Sequence, residues 1–336
     1  MKTDKLCLNQ NRVQDYKNDT IMRNLFERAC NKVIRHTKWY EQYWDGVQKF
    51  WYLNHFNLDV VNLGSNSGKY AFNYEGLDVA GMNWAIGPQS LVHDFNILKN
   101  YFSYLKSGAT VIISLCPFSS LVSKYTKTTN LKYYTFLHPA TILNFDENER
   151  IKALKIKQSP IREMPWLCIK RTLKEGVKCI LPKSLPKCDM EKNASLFVDS
   201  WEKQFGINDL NAPLSEQHCK DQENRIQVLK EMIEFCLERN LKPVLMIPPI
   251  HTSLSRKLAD NFRENYIYSF IHKANTRNIP FYNYINDERF DNTEFFSNSF
   301  FMSEKGAKEF TRIALEDLKL LQKQIASASL KSRIYL

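Results

Sequence analysis

An apolar run, Leu58-Asp59-Val60-Val61-Asn62-Leu63, stops at Gly64 and breaks into Ser65-Asn66-Ser67-Gly68. That pattern predicts a buried parallel strand ending in a tight turn that lifts a polar side chain above the sheet. A second run, Val79 to Ala85, is closed by Gly87-Pro88, and Gln89 opens a helix with Leu91, Phe95, Leu98, Tyr101 and Leu105 as its apolar positions. His93 and Asp94 lie on that helix, where a structural role is expected of them. Ser107-Gly108 reads as its stop, and Ala109 to Leu115 reads as the clearest buried strand, closed by Pro117. The order strand, turn, strand, helix, strand predicts an α/β fold with a doubly wound parallel sheet.

Helical spacing marks residues 21–57, with Met22, Leu25, Phe26, Cys30, Val33 and Ile34 on one stripe. An aromatic cluster follows, Trp39 to Trp44 and then Phe50, Trp51, Tyr52 and Phe56. It is expected to pack on the domain, with a membrane-surface helix as the other reading. Residues 120–215 break the α/β rhythm and read as a helical insertion, a candidate lid or partner surface. The rhythm resumes at Asp221 with a helix, a strand Lys242 to Ile247 stopped by Pro248-Pro249, and His251 just beyond. A helix from Ser255 to Thr276, a strand Ile279 to Tyr284 and a last helix from Ser303 to about Gln324 complete the pattern. The expected organisation is a helical N-terminal extension (1–57), an α/β domain (58–322) carrying the insertion, and a tail (323–336).

Composition narrows the classes. The eight cysteines fall at irregular spacings without a C-x-x-C pair, which argues for reduced thiols in a cytoplasmic protein rather than a disulfide framework. Met1 to Thr20 is polar, so neither a signal peptide nor a spanning helix is expected. The net charge of +11 is concentrated in residues 151–188, which admits an anionic partner at the basic insertion; a solvated lysine-rich surface is the simpler expectation. No nucleic-acid motif is present, His218 and Cys219 are poorly spaced for zinc, and no Walker loop or GxGxxG supports a nucleotide cofactor. No cofactor and no metal are expected.

Three features together resemble the SGNH (GDSL-type) hydrolase superfamily, in particular its branch of D-alanyl-lipoteichoic-acid transfer and surface-polysaccharide acyl-modifying proteins. They are the strand ending in Gly64-Ser65-Asn66-Ser67, the segment Gly81-Met82-Asn83-Trp84-Ala85 with Pro88-Gln89, and Asn298-Ser299-Phe300-Phe301-Met302-Ser303-Glu304-Lys305-Gly306-Ala307. The resemblance implies a three-layer α/β/α sandwich and acyl-ester chemistry on a glycan. In that family a serine on the first turn attacks, backbone N–H groups with a glycine and an asparagine hold the oxyanion, and an Asp-x-x-His turn supplies the base.

Carried over, the pattern departs at each catalytic position. The nucleophile falls on Asn66, flanked by Ser65 and Ser67; the supporting aspartate falls on Asn298, and the histidine on Phe301. Asn83 corresponds to a block asparagine, while Leu115-Cys116-Pro117-Phe118 has no Gly-x-Asn-Asp match. Neither asparagine nor phenylalanine can replace the missing groups, so the usual relay is expected to be absent. What remains is a crevice of Gly64, Asn66, Asn83, Gln89 and Asn298 with a glycan or polysaccharide as the expected ligand. The alternative is an active esterase or O-acyltransferase with a rebuilt site, pairing Ser65 or Ser67 with His251 and drawing on Glu75 or Asp78.

Overall fold

A computed structural model describes residues 24–121, 130–142, 144–180, 188–210 and 212–321. The stretch Met1 to Thr20, the middle of the basic connector (181–187) and the tail 323–336 lie outside the described residues.

Five strands form one all-parallel sheet: β1 (Leu58–Leu63), β2 (Gly81–Asn83), β3 (Leu105–Ser114), β4 (Lys242–Ile247) and β5 (Phe281–Asn283). Their spatial order is β2-β1-β3-β4-β5. The register sets Asn62 against both Asn83 and Ile112, and Ile112 against Val244. β1 is buried almost throughout because a central strand is covered on both faces.

Five helices are needed to describe the sheet unit: α1 (Asn66–Ala71), α2 (Leu91–Tyr101), α3 (Met190–Phe205), α4 (Glu216–Glu238) and α5 (Glu304–Asp317). α1 packs on α5, and between them and the sheet lies a core that includes Val60, Ile112, Val244, Met246 and Phe310. Strand alternation turns Val61, Val111, Ile113 and Leu245 to the opposite face, where α4 packs against α2, β4 and the helix Ser269–Ala274. The chain therefore winds one way from β1 to β2 and back the other way to β3. A gap opens where it reverses, above the carboxyl ends of β1 and β3.

Some boundaries differ from the sequence pattern. β3 begins at Leu105, so Ser107-Gly108 lies inside a strand rather than ending a helix. Gly108, at φ +80°, takes up the irregularity: Leu58 pairs with Leu105, but Val60 pairs with Thr110. α4 starts at Glu216, ahead of the expected Asp221, because Ser215 caps it by accepting from the His218 N–H at 3.2 Å. Ser303 caps α5 as its position predicts, accepting from the Gly306 N–H at 3.1 Å, but that helix ends at Asp317. Most of the expected helix from Ser255 to Thr276 is present as one continuous run over 260–274, π-helical in its middle at Arg263–Tyr268, with a separate short turn, Thr252–Ser255, ahead of it.

The chain divides into two compact units. Residues 24–53 join residues 130–180 in one unit, whereas 188–210 belong with the sheet. Long-range polar bonds explain the first pairing. The Asn31 side-chain amide donates to the Ser159 hydroxyl at 3.0 Å, and the Glu175 carboxylate accepts the backbone N–H groups of Lys38 and Trp39. Trp39, Tyr40, Trp44 and Phe50 are buried in this unit, with Phe50 stacked on Phe136 at 4.7 Å. That part of the aromatic cluster is core and presents no membrane face.

Candidate functional site

The elbow after β1 is shaped by a close approach of two backbones. Gly64 has φ +131°, and a Cβ there would stand 2.7 Å from the Ser114 carbonyl oxygen. A Cβ at Gly68 would meet the Leu63 carbonyl oxygen at 2.9 Å and the Ser114 hydroxyl at 3.0 Å. Two glycines thus let α1 sit directly on the strand ends. From the other side, Asp94 on α2 reaches the elbow, its Oδ1 accepting the Gly64 N–H at 2.8 Å. Gln89 completes the clasp: its side-chain amide donates to the Gly64 carbonyl at 3.0 Å and to Asp94, and its backbone N–H donates to the Ser65 hydroxyl at 3.1 Å.

A cavity of about 400 Å³ opens at this elbow. One wall is polar and comprises Ser65, Asn66, Ser67, Gln89, Ser90, His93, Asp94, Ser114, Cys116 and Ser119. The other is aromatic. Phe197, Trp201 and Phe205 come from α3, joined by Phe118, Phe300 and Phe301. Phe118 stacks on Phe205 at 4.9 Å, and Trp201 meets Phe300 edge-on at 4.9 Å. The Ser67 and Ser114 hydroxyls are buried and have no hydrogen-bond partner among the described residues. Both residues line the cavity, and their hydroxyls lack the partner that a buried polar group normally has. No lysine or arginine lines the cavity among the described residues, and its one carboxylate is engaged with Gly64 and Gln89. Burial pushes the Cys116 thiol up, away from the reactive thiolate, and Ser119 donates a hydrogen bond to its sulfur.

The sequence candidates separate. Ser65, Asn66, Ser67 and Gln89 all line the cavity, and Gly64 holds the turn beneath them. Asn66 packs so tightly on Gly87 that a Cβ at Gly87 would overlap its side chain. Asn83 does not reach the crevice. Its amide donates to the carbonyls of Lys69 and Phe72 at 3.1 and 2.9 Å, which ties down the end of α1, and its oxygen accepts from Asn62 and Ala85. Asn298 is likewise structural, accepting the N–H groups of Phe300 and Phe301. Phe301 itself forms part of the aromatic wall, 4.8 Å from Tyr70 and 5.8 Å from Phe197.

His251 is not brought to Ser65 or Ser67. It follows β4, and β3 stands between β4 and β1. Its ring nitrogens face the hydroxyls of Ser253 and Thr293, and it does not line the cavity. Glu75 is exposed and paired with Lys308, and Asp78 is exposed. The imidazole that does line the cavity is His93, whose Nδ1 lies 3.1 Å from the Ser90 hydroxyl. Sequence reasoning assigned it no role in the crevice, and it missed Ser114 and the aromatics of α3 altogether. Ser114 could have been found by asking which residue ends the strand beside the elbow, had the strand order been known.

Burial holds the His251 imidazole below the ordinary histidine range. The folded chain therefore binds a proton there less readily than the unfolded chain. Its contribution to stability is whole above the unfolded pKa, about 6.5, and declines as pH falls below that value. His251→Asn keeps a cap for the turn Thr252–Ser255 but cannot titrate. It is expected to reduce the loss of stability between neutral and mildly acid pH, measured by urea unfolding at each pH; an unchanged acid loss refutes the assignment.

No family model matches the chain, and no curated protein matches it. The fold and site define an α/β protein with a five-stranded parallel sheet and a half-polar, half-aromatic cavity at its switch point.

Proposed function

We propose that this chain is an SGNH-like protein that has kept the crevice of that superfamily as a binding site for a neutral glycan unit, in the setting of surface-polysaccharide acyl modification. The three-layer α/β/α sandwich that the resemblance implies is part of this reading, supported by the parallel sheet with helices on both faces. The observation that carries it is Phe301. At the position where the family has its histidine, this chain places a ring in the cavity's aromatic wall. The nucleophile position is an asparagine wedged against Gly87.

The cavity's chemistry suits such a ligand. A sugar ring has an apolar C–H face and a polar rim, and here an aromatic wall faces a wall of hydroxyls and amides. Phosphate or carboxylate ligands are disfavoured because the lining lacks a cation. A glycan-array screen followed by calorimetric titration tests the reading. Phe301→Ala is expected to weaken binding by roughly tenfold, the scale of one aromatic contact. Binding unchanged in Phe301→Ala, or no glycan bound at all, sinks it.

One observation favours a second reading, an ester hydrolase or O-acyltransferase. The Ser90 hydroxyl and His93 form a 3.1 Å pair inside the cavity, with Ser67 unpartnered nearby. Ser90 also sits at the N-cap position of α2, where a serine is common in any protein. Fluorophosphonate labelling decides between them: covalent labelling that disappears in Ser67→Ala or Ser90→Ala establishes the enzyme.

A further inference from the structure

The helix Pro165–Ile180 is built the wrong way round for a helix of a water-soluble domain. Such helices bury their apolar stripe and expose their polar residues. Here Trp166, Ile169, Leu173 and Val177, spaced three, four and four residues apart, are 83%, 48%, 65% and 57% exposed. The side that faces the rest of its unit is the more polar one. Cys168 is buried there, Thr172 accepts from the Trp39 indole N–H at 3.0 Å, and the Glu175 carboxylate takes the N–H groups of Lys38 and Trp39 at 2.8 and 2.9 Å. The helix is thus anchored by specific hydrogen bonds that leave its apolar stripe outward.

Cations flank that stripe. Lys170, Arg171 and Lys174 are exposed, and none forms an ion pair among the described residues. The helix's one acidic side chain, Glu175, is already committed to the inward contacts. No described helix is long and apolar enough to cross a membrane, so insertion through a bilayer is not available to this one. In the sheet unit the large exposed apolar residues, such as Tyr70, Phe102, Leu196 and Leu237, form no comparable helical stripe.

We propose that Pro165–Ile180 is an in-plane membrane-binding helix that docks the protein on an anionic lipid surface. An outward stripe opening with a tryptophan and bordered by unpaired cations has the two complements such a surface needs. The stripe enters the acyl boundary, and the lysines and arginine meet the headgroup charge. The concentration of positive charge in residues 151–188 adds a longer-range attraction of the same sign. This inference does not rest on what the cavity binds.

The test uses the full chain and co-sedimentation with vesicles. Binding is expected to vesicles of phosphatidylcholine mixed with phosphatidylglycerol, to be much weaker to phosphatidylcholine alone, and to fall as salt rises. Leu173→Gln should lower the partition coefficient by at least about tenfold, from one lost buried leucine. The double variant Lys170→Gln/Lys174→Gln should lower it by roughly 30-fold on anionic vesicles only. All three side chains are exposed, so an unchanged circular dichroism spectrum and melting midpoint are expected alongside. Equal binding with and without phosphatidylglycerol overturns the proposal, as does full binding by Leu173→Gln. Self-association of the chain abolished by Leu173→Gln, without any lipid binding, also overturns it and assigns the stripe to a second copy.

Discussion

Gly64→Ala is expected to cost about 4 kcal/mol of stability, among the largest effects of any single methyl group in the sheet unit. Two terms add. The φ of +131° lies where an L side chain is strained, and the new Cβ would stand 2.7 Å from a carbonyl oxygen of β3, which cannot rotate aside. Two other glycines separate the terms. Gly76 has φ +79° with nothing near its would-be Cβ, so Gly76→Ala should carry the strain alone, about 1 kcal/mol. Gly176, within the helix Pro165–Ile180, also meets nothing, and Gly176→Ala should be neutral or stabilising by up to about 1 kcal/mol. Urea unfolding of the three variants is the measurement. If Gly64→Ala falls no further than Gly76→Ala, the close approach of β1 and β3 is wrong.

Asp94→Ala should destabilise by about 3 kcal/mol and abolish ligand binding in the same protein. The substitution leaves the buried Gly64 N–H and the Gln89 amide without their shared acceptor, so the elbow loses its hold on α2. Asp94→Asn keeps the Oδ1 that accepts both donors and loses only the charge, so it should lie closer to the native residue than to Ala. Unfolding midpoints order the series, and calorimetric titration with the glycan selected on the array reads the site. Normal binding by a folded Asp94→Ala protein would show that the clasp does not hold the site in shape.

How much of this could be read from the chain alone follows from how local each cause is. β1 was legible residue by residue because a central parallel strand is covered on both faces, so its apolar run needs no knowledge of neighbours. The Ser303 cap was legible because a hydroxyl and an N–H three residues later decide it. The elbow was legible as a turn of small polar residues. Its surroundings were not. Nothing in the order of residues says that α3, inside the irregular stretch 120–215, brings Trp201 and Phe205 to the same cavity.

The failed pairing with His251 has the same origin. The end of β4 looks equivalent to the end of β1 in the sequence, because both are apolar runs stopped by turn residues. Only the strand order places β3 between them and leaves the histidine facing Ser253 and Thr293. That the N-terminal helices and part of the irregular stretch share one unit was not legible either, since hydrogen bonds spanning more than a hundred residues join 24–53 to 130–180. By itself the sequence determined the α/β character and the position of the elbow, because each depends on covalent neighbours. Tertiary structure alone decided what faces that elbow and which apolar stripe stays outside, because both depend on packing between segments distant in the chain.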